Sequence, residues 1–204
     1  MAAGTVAFAV TAPAAASLIS NGGFEGPTFS GTFAFLNGVG DLSGWTFAGD
    51  LQDEPSYWWN TGHGGNTRFA AEGNAAIMLN RGDRISQSFT TIVGQSYSLS
   101  FHFQRLEATT LEVLVAGSTY NLGANDGVET SMIVDTRFVG YNWREITLQF
   151  TATSSTTALE FFGAQSPTGS GWYLDDVVVD AVPAPGVLAL MSLAGFVRVS
   201  RRAR

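Results

Sequence analysis

The stretch 96–103 alternates without a break. Tyr97, Leu99, Phe101 and Phe103 take one set of positions, and Ser96, Ser98, Ser100 and His102 take the other. Successive side chains of a strand point to opposite faces, so this pattern lays aromatics on one face of a sheet and polar groups on the other. The theme returns in Ile85, Gln87 and Phe89, in Leu111, Val113 and Val115, in Ile146, Leu148 and Phe150, in Leu159 and Phe161, and in Val177 and Val179. Turn signals separate these runs: Arg81-Gly82-Asp83, Val93-Gly94-Gln95, Asn125-Asp126-Gly127 and Pro167-Thr168-Gly169. Many short strands with regular turns predict an all-β fold, an antiparallel β-sandwich of two sheets. Residues 29–73 lack this period and are rich in Gly and aromatics, so they are expected to form long loops over one face or edge.

A chain of 204 residues with 45% hydrophobic content buries a sizeable core, and with its ends set aside it fits one domain, expected at residues 17–181. Cysteine is absent, and a body of this size needs no disulfide to hold its core. All ten basic residues are Arg, and Arg198, Arg201, Arg202 and Arg204 crowd the last seven positions. Residues 1–186 therefore carry 6 positive against 17 negative charges, a net of −11. Such an acidic body repels phosphate backbones, which argues against nucleic acid as a partner.

Both ends read as addresses rather than fold. Residues 1–16 hold an apolar run, Val6-Ala7-Phe8-Ala9-Val10, and then Ala14-Ala15-Ala16, small residues of the kind a signal peptidase requires. Cleavage near Ala16 is expected. The basic n-region is missing, so either the start lies upstream or the segment is an Ala-rich leader. In residues 182–204, Val182-Pro183-Ala184-Pro185-Gly186 breaks the chain, residues 187–197 run without a charge, and the arginines follow. As a helix, eleven residues span about 17 Å, short of the roughly 20 residues of a comfortable membrane span. Snorkelling of Arg198 and local thinning would let the segment sit in a bilayer transiently, with its C-terminus held in the cytoplasm. The alternative is a C-terminal helix docked on the domain. The order of break, apolar helix and basic stop resembles the PEP-CTERM sorting signal, with Ala184 where Glu is commonest between the prolines. That resemblance implies an exosortase-type processing enzyme as partner, and export to the cell surface or extracellular matrix of a bacterium.

A second resemblance spans the body. Asn21-Gly22-Gly23-Phe24-Glu25, Ser43-Gly44-Trp45, Ile85-Ser86-Gln87-Ser88-Phe89-Thr90-Thr91 with Gly94-Gln95-Ser96-Tyr97, the run from Trp143 to Thr153, and Tyr173-Leu174-Asp175-Asp176-Val177 occur in this order. Together they resemble the carbohydrate-binding-module and choice-of-anchor class of galactose-binding-like jelly rolls, which implies a jelly-roll sandwich. If Val177 and Val179 face the core, Asp175 shares their parity and points inward, where a bare carboxylate costs several kcal/mol. The resemblance implies that Glu25 and Asp175, with Asp176 as rival, help hold a structural calcium ion, which takes such oxygen ligands. An Arg partner or a solvated strand end answers the same need.

The body offers His63 and His102 and no cysteine, and no nucleophile elbow, zinc spacing or phosphate loop appears. Asp53 and Glu54 beside Tyr57 invite a glycosidase reading, but that chemistry takes its two carboxyl groups from separate elements some 5 to 9.5 Å apart. Sugar recognition needs an exposed aromatic face with hydrogen-bonding groups nearby. Tyr57, Trp58 and Trp59, with His63 and Asn66 in the Gly-rich stretch after them, are the candidate ligand-binding residues. Trp58 and Trp59 would point to opposite sides if extended, so at least one belongs to the core. Trp45, Trp143 and Trp172 abut strands and read as structural. Gln104 and Arg105, closing the aromatic strand, are either further polar contacts or a solvated strand end. The expectation is a non-catalytic, exported sandwich binding carbohydrate or exopolysaccharide. A structural or adhesive matrix protein is the alternative, and a glycoside-active enzyme the third reading.

Overall fold

The computed structural model describes residues 16–28, 31–36, 42–49, 56–60, 70–105, 110–122, 143–164 and 171–183. The leader expected before Ala16, His63, Asn66, Asp53, Glu54, and the sorting tail with a short apolar helix expected beyond Pro183 lie outside the described residues.

The described residues form eleven strands in two antiparallel sheets. The larger runs in the order β1 (Phe33–Phe35), β3 (Tyr57–Asn60), β4 (Ala75–Leu79), β11 (Trp172–Ala181), β6 (Ser96–Arg105) and β9 (Arg144–Thr151). The smaller runs β2 (Thr46–Ala48), β5 (Arg84–Thr90), β10 (Thr156–Gly163), β7 (Leu111–Val115) and β8 (Ser118–Leu122). Each alternating run of the sequence lies within a strand, and stretch 96–103 becomes β6. Residues 29–73 are a correction, because they contain β1, β2 and β3 rather than loops alone. At three or four residues these strands are too short for a period to show, and β4 was missed because both its faces are covered, as the unbroken burial of Ala75–Leu79 records.

The core lies between the sheets. Tyr97, Leu99, Phe101 and Phe103 of β6 are at most 3% exposed, and Phe101 meets Phe161 of β10 edge-on at 5.0 Å. Full burial of such side chains stabilises by about 1.5–3 kcal/mol each. Ile146 and Leu148 are only partly buried, and β9 is the last strand of the larger sheet among the described residues.

The Asn21 to Glu25 phrase closes one side of the sandwich. Asn21 and Phe24 adopt φ values of 51° and 56°, and Phe24 is fully buried. Gly22 lies so close to β11 that a Cβ there would sit 1.9 Å from the Val177 carbonyl oxygen. That glycine lets the Val177 N–H donate to the Gly22 carbonyl at 3.0 Å. Gln87, buried on the inner face of β5, accepts from the Ser20 N–H at 2.8 Å and donates to the Ser20 carbonyl at 3.0 Å.

In β11 the parity expected for Asp175 fails. Leu174 lies opposite Phe103 and Val179 opposite Leu99, but the register shifts between Asp175 and Val178, where Asp176 has φ 51°. This bulge lets Leu174 and Val177 both face the core. Asp175 therefore lies opposite His102, on the outer face of the larger sheet.

Candidate functional site

The edge of the larger sheet carries the site. Strand register sets Phe33 against Trp59, Ala34 against Trp58 and Phe35 against Tyr57. Alternation then divides the two tryptophans. Trp58 turns inward, is 4% exposed, and donates from Nε1 to the Phe24 carbonyl at 2.9 Å. Tyr57 and Trp59 turn outward and are half-buried. With them stand Phe33 and Phe35, 45% and 48% exposed.

These four rings touch one another. Phe33 lies 5.3 Å from Tyr57 and 5.3 Å from Trp59 between ring centroids, Phe35 lies 5.2 Å from Tyr57, and Tyr57 lies 5.6 Å from Trp59. The spacing is that of favourable offset or edge contacts. The face is a continuous aromatic surface on two short strands, open to water. Of the candidate binding residues, the structure brings Tyr57 and Trp59 together here and assigns Trp58 to the core. Phe33 and Phe35 were missed, because the three residues of β1 are too few to show a strand's period.

On the inner side of the same strand end is a cleft of about 250 Å³ lined by Glu25, Thr28, Trp58, Asn60, Asn74 and Ala75. Glu25 accepts at Oε1 from the Asn74 N–H at 2.7 Å and the Ala75 N–H at 2.8 Å. Asp175 holds the other end of that turn, with Oδ2 accepting from the Ala71 N–H at 2.7 Å and the Glu72 N–H at 2.9 Å. Its Oδ1 accepts from the Asp176 N–H at 2.7 Å. Backbone amides thus supply partners for the carboxylate, in place of an Arg or a solvated strand end. Burial pushes the Asp175 carboxyl up to about 7, against the pull of those N–H donors. Among the described residues no group of three or more His, Cys, Asp or Glu side chains is placed to hold a metal ion. Asp176 instead lies 3.2 Å from His102 Nδ1.

The remaining aromatics divide as their strands dictate. Trp45 and Trp172 are 4% and 0% exposed and belong to the core. Trp143 is half-buried, 6.4 Å from Tyr173 on the outer face. Gln104 is no solvated strand end: it lies opposite Tyr173, is 2% exposed, and neither amide atom has a hydrogen-bond partner among the described residues.

Residues 17–180 match the model of a family described as "Protein of unknown function (DUF642)". No curated protein matches the chain. Among solved structures, the TmCBM61 module in complex with β-1,4-galactotriose superposes with a TM-score of 0.50 at 12% identity, covering 82% of this chain and 100% of that one. The CBM22-1 xylan-binding domain of Xyn10C from Paenibacillus barcinonensis gives 0.42 at 16% identity, over 72% of this chain and 90% of that one. The N-terminal cellulose-binding domain of Cellulomonas fimi β-1,4-glucanase C gives 0.41 at 17% identity, over 78% and 99%. At 12% identity the likeness to TmCBM61 shows the fold alone, a β-sandwich.

Proposed function

The chain belongs to the DUF642 family, a membership that names no activity, and from its exposed aromatic face we propose that it is a non-catalytic carbohydrate-binding sandwich acting outside the cell. The observation that carries this reading is the cluster of Phe33, Phe35, Tyr57 and Trp59 on the solvent side of β1 and β3. A pyranose has an apolar face that stacks on such rings and hydroxyls that reach polar groups beside them. The galactotriose bound by TmCBM61, which shares the fold, supports the ligand class. His63 and Asn66 follow β3 in sequence and are proposed as polar contacts of the same site. The polymer in view is an extracellular polysaccharide, such as matrix exopolysaccharide.

The test is calorimetric titration of the sandwich with polysaccharides chosen from a glycan array. Trp59→Ala is expected to weaken binding at least tenfold, about 1.4 kcal/mol, while leaving the melting temperature nearly unchanged. A well-folded domain that binds no glycan would overturn the reading and leave the exposed rings to an adhesive matrix role.

Two further parts of the proposal rest on sequence. The tail, residues 182–204, is proposed as a PEP-CTERM-like sorting signal that holds the chain transiently in a membrane for an exosortase-type enzyme, supported by its order of break, apolar run and arginines. Calcium is proposed as a structural ion that tightens the turn before β4 through Glu25 and Asp175. A melting temperature raised by calcium and lowered again by EDTA is the expected result. An unchanged value would overturn the calcium proposal and leave the two carboxylates to the backbone amides of that turn.

A further inference from the structure

The end of the sandwich where the described chain leaves the domain differs from the rest of its surface. It is built from residues 91–95 between β5 and β6, 116–117 between β7 and β8, 152–155 between β9 and β10, and 182–183 after β11, with the strand residues that flank them. Hydrogen bonds tie several of these segments together. Thr91 N–H donates to the Ser155 carbonyl at 2.9 Å, Gly94 N–H to the Ala152 carbonyl at 2.8 Å, and Val182 N–H to the Ser96 carbonyl at 2.9 Å. Gln95 Nε2 donates to the Val182 carbonyl at 2.6 Å.

Two features stand out there. Ile92 and Val93 are 70% and 63% exposed, more than any other large hydrophobic residue described. They are held outward by a built turn, in which Gln95 N–H donates to the Ile92 carbonyl at 3.0 Å, Gly94 has φ 80°, and Ile92 N–H donates to the Tyr97 hydroxyl at 2.9 Å. The second feature is charge. In a chain with 17 acidic residues, none of these four segments contains Asp, Glu, Lys or Arg.

The apolar run of the tail starts at Val187, five residues after Val182, so at most about 18 Å of extended chain separates them. We infer that this uncharged end is apposed to a lipid bilayer, with Ile92 and Val93 dipping into its interface beside the tail. The inference rests on the proposed membrane role of the tail and adds to it the orientation of the domain. Two aliphatic side chains do not anchor a protein, but they set its tilt once another segment holds it there. The absence of charge keeps desolvation of the apposed surface cheap. Strand register then places Trp59 near the level of Asp175, seven residues before Val182, so the aromatic face stands about 20 Å above the bilayer and free to meet polymer.

The chain has no cysteine, so single labels report position cleanly. Val93→Cys and, at the opposite end of β5, Arg84→Cys would each carry an environment-sensitive fluorophore in the full chain, with phosphatidylcholine vesicles containing a nitroxide lipid as probe. Each labelled chain is first shown to keep the parent melting temperature. The expected result is co-sedimentation with vesicles and quenching at position 93 several-fold stronger than at position 84. Co-sedimentation with both labels quenched alike, or neither quenched, would overturn the orientation and leave the tail reading standing. Failure of either chain to co-sediment would overturn the tail reading and this inference together.

Discussion

Asp175→Ala is expected to lower the melting temperature by about 6–12 °C. The carboxylate is fully buried and accepts from the N–H groups of Ala71, Glu72 and Asp176. Alanine would leave those donors without a partner at about 1–3 kcal/mol each where water is excluded. A total near 3 kcal/mol corresponds to the stated shift for a domain of this size. The pH dependence follows from the same burial. Because the folded carboxyl titrates at about 7 and its ordinary value is 3.8, the folded state holds the proton more tightly than the unfolded chain. This contribution is fully present below about pH 3.8 and is lost as pH rises through 7. Urea melts of the natural chain should therefore show lower stability at pH 8 than at pH 5, by up to a few kcal/mol. Asp175→Asn should remove most of that slope while being less stable at either pH, since its amide nitrogen must face at least one N–H donor. His102 and Asp176, 3.2 Å apart beside it, remain in both proteins. The difference between the two slopes then belongs to Asp175, and equal slopes would refute the assignment.

The same residue shows how far sequence reasoning reaches. Alternation located β5, β6, β7, β9, β10 and β11 because each is long enough, with one face buried, to display its period. It failed at Asp175 because a bulge inserts one residue and exchanges the faces, and nothing in Leu174-Asp175-Asp176-Val177 distinguishes a bulged strand from a regular one. Glu25 and Asp175 were read as partners through a shared ion. Their meeting place is the turn from Ala71 to Ala75, whose N–H groups are identical in every residue and so leave no mark in a sequence. Gln104 was read as either a polar contact or a solvated strand end, because its neighbour across the sheet, Tyr173, is distant in sequence. The aromatic site was half legible: Tyr57 and Trp59 announced themselves by composition, whereas Phe33 joins them only through the pairing of β1 with β3.

Adjacent tryptophans make the sharpest test of which face of β3 turns inward, as its pairing with β4 sets it. Trp58→Ala is expected to destabilise the domain by about 3–5 kcal/mol, the range for emptying a large aromatic site in a core. Trp58 fills space between the sheets at 4% exposure, and its Nε1 satisfies the Phe24 carbonyl, itself part of the segment that closes the sandwich. Trp59→Ala removes a half-buried ring from the outer face and should cost about 1 kcal/mol or less. Thermal melts of the two variants should consequently differ by about 4 °C or more. The contrast governs how binding data are read. Because Trp58 also lines the cleft beside Glu25, a loss of sugar affinity in Trp58→Ala would mix a disturbed fold with a disturbed site. Only Trp59→Ala, with its fold intact, isolates the platform. Were Trp58→Ala to melt like the natural chain while Trp59→Ala unfolded, the register of β3 on β4 would be shifted by one residue, and the face proposed to meet carbohydrate would be the wrong one.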